Sequence, residues 1–313
     1  MGVIGTMVWD TIYGRDPRAS AAEEWGGIAY ALAALEVALP PDWEMVPLIK
    51  VGRDMAPRAN MFLHALTHRS AAARFLEVPE PNNRVTLRYE SLQRRTEQLA
   101  GGVPPWRWDE LATLVQDLDA IYLNFISGFE LDIATARRLR QEFAGPIYAD
   151  LHSLLLGMNP AGRRFPQRLS EPSNWFGCFD IVQLNQEELA LIGGDPMEVA
   201  ATALAAGVRL LVVTLGEAGA VYFTARPFSF AHYPEAPHEG PIETARIPAP
   251  ELFDEGDTTG CGDVFGATLV AQLAQGTGIE EALREANGMA VRNLQHRGAT
   301  NLHYYLRGEI APR

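Results

Sequence analysis

The sequence predicts an α/β fold, a doubly wound and mainly parallel sheet with helices on both faces. Two observations carry that prediction. Short apolar strands alternate with helical segments through short connections over residues 108–215, the pattern of parallel strands joined by crossover helices. Further on, the string Asp257-Thr258-Thr259-Gly260-Cys261-Gly262-Asp263 leads into an apolar-faced helix running to Gly276, so the chain turns sharply into a helix at a glycine-rich corner.

Taken in order, residues 3–9 read as a buried strand that delivers Asp10 at its C-terminal edge, where open α/β sheets place their ligands. Residues 11–25 are polar and irregular. Gly26-Gly27 then opens a helix over 28–39, which Pro40-Pro41 stops. Residues 44–51 form a strand and 55–67 a helix. His64 and His68 lie four apart on that helix, but no Glu follows the first, and they read as ordinary helix residues rather than metal ligands. Residues 84–89 alternate with period two, a strand with one polar face. If that face looks inward, Arg84 and Arg88 suit an acidic or phosphorylated substrate. After Pro104-Pro105 come a helix at 108–118, a strand at 120–126, a helix at 131–143 and strands at 146–151 and 179–184. A helix starting at Asn185, a strand at 209–215, short strands and loops over 227–250, and a helix at 279–295 complete the pattern.

Composition narrows the function. With 313 residues, 47% of them apolar and 21% charged, the chain can bury a substantial core as one large α/β domain or two small ones. A net charge of −13 argues against nucleic acid as a partner. Lys50 is the single lysine, so no Walker-A motif exists, and neither His-Arg-Asp nor Asp-Phe-Gly of protein kinases occurs. No Gly-x-Gly-x-x-Gly follows a predicted strand, which disfavours a dinucleotide site. Cys178 and Cys261 cannot form a disulfide framework or a cysteine zinc site. Residues 1–10 carry no basic leader, and the longest apolar stretch, 28–39, contains Glu36 and is too short to span a bilayer. A cytoplasmic setting with no membrane partner is expected.

The glycine corner carries the chemistry. Unpaired amides in a first helical turn favour negative charge, and small residues let a ligand approach them, so Gly260, Cys261 and Gly262 suit a phosphate. Asp263 would repel that phosphate unless it acts on the hydroxyl that attacks it. A lone Asp at such a place is most often a helix cap; the whole string favours the catalytic reading. Cys261 stands at a helix N-terminus, where thiolates are stabilised, which predicts alkylation that nucleotide blocks.

The string resembles the C-terminal signature of the PfkB/ribokinase family of sugar and nucleoside kinases, Asp-Thr-x-Gly-Ala-Gly-Asp, with Cys261 where Ala is usual. The resemblance implies a ribokinase-like fold, a single domain over 1–313 whose small β lid takes in residues of about 11–25 and 79–103. It implies an ATP-dependent kinase in which Asp263 is the general base and residues 260–262 form the anion hole. Asp10 would bind the acceptor hydroxyls, with Gly26 and Gly27 beside it. Asn185 and Glu188 match an Asn-x-x-Glu that organises Mg²⁺ and phosphates through water, and Thr214, Gly216 and Gly219 match a nucleotide turn. Asn287 would face adenine, and the chain around Asp257, Thr259 and Gly298 would hold a monovalent cation, K⁺. Lid strands would pair two subunits. Two positions depart from the family pattern: Ala31 replaces a sugar-binding Asn, and Ile126 falls where ribokinase has a Glu. A nucleoside acceptor, or a non-catalytic protein that binds nucleotide or sugar, are the alternatives.

Overall fold

The computed structural model describes residues 1–14, 20–89, 95–225, 230, 233, 241–251 and 256–311. Its central sheet has eight strands in the order Glu243–Ile247, Ala220–Thr224, Leu210–Thr214, Ile181–Asn185, Ile147–Asp150, Ile121–Asn124, Gly2–Ile4 and Val46–Leu48. The strands from Leu210–Thr214 to Val46–Leu48 are parallel, and the two beyond Leu210–Thr214 pair antiparallel. One face is covered by the helices Ile28–Ala38, Cys261–Ala274 and Ile279–Asn293, the other by Ile133–Glu142 and Pro196–Ala206. Burial on both faces explains why strands such as Leu-Leu-Val-Val at 210–213 are continuously apolar. This is the doubly wound α/β architecture that the strand and helix pattern predicts.

Register decides where chemistry can happen. Asp150 lies level with Asn124 on one side and Gln183 on the other, and Asn185 pairs with Thr214. Polar residues therefore stand in a row along the C-terminal edge of the parallel strands, the place where such sheets bind ligands.

A second sheet of four strands, in the order Ala22–Gly27, Met7–Tyr13, Arg84–Tyr89 and Arg95–Ala100, stands over that edge. Here the structure departs from four sequence expectations. The apolar run 3–9 is two strands: Gly2–Ile4 stays in the central sheet, while Met7–Tyr13 joins the second, so Asp10 sits within a lid strand rather than at a central strand's end. The corner between them is packed against other elements. A Cβ at Gly5 would lie 2.7 Å from Ile28, and Thr6 Oγ1 donates to buried Glu130 at 2.8 Å. Residues 44–51 divide likewise, Val46–Leu48 remaining central while Lys50–Gly52 pairs with Leu76–Val78. The stretch 11–25, read as irregular, holds strand on both sides of residues 15–19, and the helix expected over 108–118 is confined to Trp108–Leu111 before the chain closes in turns. Residues 15–19 and 90–94 of the two lid segments, and 227–229, 231–232 and 234–240 of the stretch 227–250, lie outside the described residues.

The alternation over 84–89 sends its apolar side inward. Val8, Ile12, Val85, Leu87 and Leu99 form a cluster against Ile126, whereas Arg84 pairs with Asp54 at 2.9 Å on the outside and Arg88 lies 3.8 Å from the Tyr13 ring centroid. The conditional reading of these arginines as substrate ligands falls away, because burying two guanidiniums costs far more than burying valine and leucine.

Lys50 ties the second sheet's return to the central one. Its buried Nζ donates to Glu110 Oε2 and to Pro105 O, each at 2.8 Å, and stands 4.6 Å from the Trp106 ring centroid. Truncating one partner strands a buried charge. Glu110→Ala is therefore expected to lower unfolding free energy by about 2 kcal/mol in urea titrations, and combining it with Lys50→Met should recover part of that loss.

Candidate active site

A cleft of about 260 Å³ opens between the C-terminal edge of the central sheet and the apolar side of the second sheet. It brings together Asp10, Gly27, Asn185, Glu188, Thr214, Thr259, Gly260, Gly262 and Asp263, all singled out from the sequence, with Tyr30, Glu97, Asn124, Asp150, His152 and Gln183, which were not.

The glycine corner is shaped by its neighbours. Gly260 caps the helix Cys261–Ala274 with φ 79°, and a Cβ there would lie 2.3 Å from the Tyr30 ring, so positive φ and close approach both require glycine. A Cβ at Gly266 would lie 1.9 Å from Tyr148 Oη, and its absence lets the helix press onto the strand below. Polar bonds then fix the helix start over the strand ends. Asn124 Nδ2 donates to Asp263 Oδ1 at 2.7 Å, and Gln183 Nε2 donates to Gly262 O at 3.1 Å and to Asp150 Oδ2 at 2.9 Å. Tyr148 Oη donates to Gln183 Oε1 at 2.9 Å. Asn124 and Gln183 end or nearly end predicted strands, which was the only signal in the sequence that could have drawn attention to them.

Cys261 differs from its expected role. Its amide donates to Thr258 O at 3.3 Å, so it closes the turn, and the first-turn amides that follow are left to meet an anion. Its thiol lies 3.4 Å from Ala290 O and from Asn293 Nδ2, against the helix Ile279–Asn293. That orientation removes the geometric basis for nucleotide blocking its alkylation.

At one end of the cleft, Asp10 is 3% exposed and sits over Gly26, where a Cβ would lie 1.8 Å from Asp10 Oδ2. Gly27, with φ 59°, caps the helix Ile28–Ala38 and approaches Thr6 O. Glu97 faces the buried Arg164, whose Nη1 is 3.7 Å away.

At the other end, Asn185 and Glu188 make a reciprocal cap. Glu188 N donates to Asn185 Oδ1 at 2.9 Å, and Asn185 N donates to Glu188 Oε2 at 2.8 Å. Glu188 Oε1 lies 2.6 Å from His152 Nδ1. Desolvation opposes charge on His152, but the charge and hydrogen bond of Glu188, with Asp150, outweigh it and lift its pKa to about 9. Burial, joined by the negative charges of Glu188 and Asp263, raises Asp150 to about 7 against the pull of His152. Crowded carboxylate oxygens of this kind suit Mg²⁺. Among the described residues no set of three metal-ligating side chains converges, so the ion would take most of its ligands from water and phosphate, as it commonly does.

Asp257 Oδ1 accepts from Tyr89 Oη at 3.1 Å and from Thr259 N at 2.9 Å, and Tyr89 Oη is 2.8 Å from Thr259 Oγ1. A lid strand thus touches the glycine string through a residue that carried no sequence signal. The residues expected around K⁺ already have partners of their own. Thr259 O accepts from Asn293, Gly298 O accepts from His296, and Arg297 Nε lies 3.8 Å from Asp257 Oδ2, supplying positive charge already.

In the nucleotide turn, Thr214 lines the cleft and Gly216 adopts φ 58° with open space around it. Gly219 has a packing reason as well, since a Cβ would lie 2.1 Å from Ile247 O. Asn287 is a correction: it is buried, and its Nδ2 donates to Ile247 O at 3.1 Å and Pro248 O at 3.4 Å, which tethers the edge strand instead of facing adenine.

Comparison with known proteins places this geometry. Residues 158–303 match the model of the pfkB family carbohydrate kinases. A ribokinase of Arabidopsis thaliana is 30% identical over 135 residues, which cover 41% of this chain and only 32% of that protein. Among solved structures, a ribokinase of Thermotoga maritima superposes with TM-score 0.73 at 16% identity over 98% of both chains. A pyrophosphate-dependent kinase in the ribokinase family gives 0.75 at 18% identity over 98% of this chain and 99% of the other. A Burkholderia thailandensis nucleoside kinase in complex with inosine gives 0.71 at 18% identity over 96% and 92%. The fold is ribokinase-like.

Two measurements follow from the site. Folded Asp150 keeps its proton to about 7 whereas an ordinary aspartate loses it near 3.8, so stability falls as pH rises through that window. His152, raised from 6.5 to about 9, contributes stability that is full below 6.5 and lost as pH passes 9. The thermal midpoint should therefore drop in two steps between pH 5 and 9.5, and Asp150→Asn should lack the lower one. Asn287→Ala is expected to cost about 1–3 kcal/mol in urea unfolding by leaving strand carbonyls unpaired, with nucleotide affinity unchanged by calorimetry.

Proposed function

We propose that the chain, whose residues 158–303 match the model of the pfkB family carbohydrate kinases, is a kinase of that family and transfers the γ-phosphate of ATP to a hydroxyl of a small sugar or sugar derivative. The observation that carries this reading is the Asp263 carboxylate, held by Asn124 at 2.7 Å at the mouth of the glycine corner and opening on the same cleft as Asp10. Asp10 and the Gly26-Gly27 turn orient the acceptor, and Asp263 takes the proton of the attacking hydroxyl in line with the phosphorus. First-turn amides of the helix Cys261–Ala274 stabilise charge on the phosphoryl oxygens. Mg²⁺, held near Asp150 and Glu188 through water, would supply charge neutralisation to the nucleotide phosphates when bound. His152, charged at neutral pH, balances those two carboxylates and keeps the phosphate end of the cleft from repelling its ligand.

A nucleoside acceptor is the second reading. It is favoured by the apolar wall of Val8, Val85, Leu87 and Ile126, against which a base or the face of a sugar ring could lie.

The test is phosphoryl transfer from ATP, with pyrophosphate as a second donor, to a panel of pentoses, hexoses, cyclitols, sugar phosphates and nucleosides. Asp263→Asn is expected to lower kcat by about 10²–10⁴-fold while the Kd for ATP stays within a factor of about 2. A variant that keeps most of the turnover removes Asp263 as the base. A wild-type protein that binds nucleotide and acceptor but transfers nothing supports a non-catalytic role.

A further inference from the structure

Two buried polar atoms in the cleft are left without partners. Tyr30, on the first turn of the helix Ile28–Ala38, is 1% exposed, and its hydroxyl has no hydrogen-bond partner although the residue lines the cleft. Asn124 is also 1% exposed, and its Oδ1 is unpartnered while its Nδ2 holds Asp263. Buried polar groups are paired in the great majority of cases, and a side chain kept unpaired in a cleft calls for a ligand that completes it. The two residues come from different layers, one from a helix and one from a strand end, and both line the same cleft as Asp263.

The Tyr30 ring has a built seat. Glycine at 260 is what admits it, as a Cβ there would lie 2.3 Å from the ring. Burial and the charges of Asp10, Asp257 and Asp263 raise its pKa well above the usual tyrosine value, so the hydroxyl remains protonated and able to donate. A phenol can donate and accept together, and a carboxamide oxygen accepts.

The remaining polar groups at that end set the ligand's charge. Asp10, Glu97 and Asp263 line the cleft as acceptors, and among the described residues no Lys or Arg lines it. An acceptor that offers several hydroxyl hydrogens suits these oxygens, whereas a phosphate group on it would add negative charge beside three carboxylates.

We propose that the Tyr30 hydroxyl and Asn124 Oδ1 bind a second hydroxyl of an unphosphorylated, polyhydroxylated acceptor, making Tyr30 a specificity-determining residue. The inference rests on the phosphotransferase reading for which hydroxyl reacts, while acceptor binding can be measured without turnover.

Tyr30→Phe in the full chain tests it, because phenylalanine keeps the ring on Gly260 and removes only the hydroxyl. The acceptor KM should rise about 10- to 100-fold with KM for ATP unchanged, the loss expected when a site built to bond a hydroxyl loses its partner. The thermal midpoint without ligand should hold or rise, since an unpaired buried group is gone. Deoxy analogues of the best acceptor supply the second arm. One of them should bind more weakly than the parent to wild type and equally to Tyr30→Phe, by calorimetry. Unchanged acceptor KM together with unchanged deoxy discrimination overturns the proposal and leaves the kinase reading intact. A wild type that binds a neutral polyol without phosphorylating it, with binding weakened in Tyr30→Phe, sinks the kinase reading and upholds this one. A best acceptor that already carries phosphate overturns the substrate class.

Discussion

The bond from Asn124 Nδ2 to Asp263 Oδ1 is the constraint from which the rest of the site follows. It fastens the first turn of a helix to the end of a central strand. Gln183 reinforces the junction by donating to the carbonyl of Gly262. Because these donors come from strands in fixed register, the carboxylate and the helix amides hold their separation whether or not anything is bound, which is the preorganisation that electrostatic catalysis needs. Glycines at 260 and 266 are the steric condition for that closeness, since a side chain at either would collide with a tyrosine.

Charge along the cleft is graded. At one end carboxylates line the cleft, with the guanidinium of Arg164 3.7 Å from Glu97. Toward the phosphates, His152 sits between Asp150 and Glu188 and carries a proton because they are there. In an acidic protein with a net charge of −13, the proposed phosphate site would thus rely on local dipoles and one imidazolium, not on the overall field.

Much of this was legible beforehand. The parallel sheet followed from strand and helix alternation, and the glycine corner from its string. What escaped had physical causes. Asp10 was placed at the end of a strand because an apolar run does not reveal which of two sheets each half will join; the break came from packing of Gly5 on Ile28 and from Thr6 on Glu130, contacts remote in sequence. Period two in 84–89 showed two faces but not which one turns inward, and the arginines proved to be outside. Asn287 looks like a ligand on a helix until strand Glu243–Ile247 is found to claim it. Tyr30, Asn124 and Tyr89 are common residues in common elements, and only three-dimensional convergence distinguishes them.

The touch of Tyr89 on Asp257 and Thr259 links the covering sheet to the loop that sets up the phosphate corner. Any swing of that sheet to admit an acceptor must either break these bonds or drag the loop along with it. The position of the covering sheet and the set of that loop are therefore mechanically linked, and with the cleft empty the link is already made.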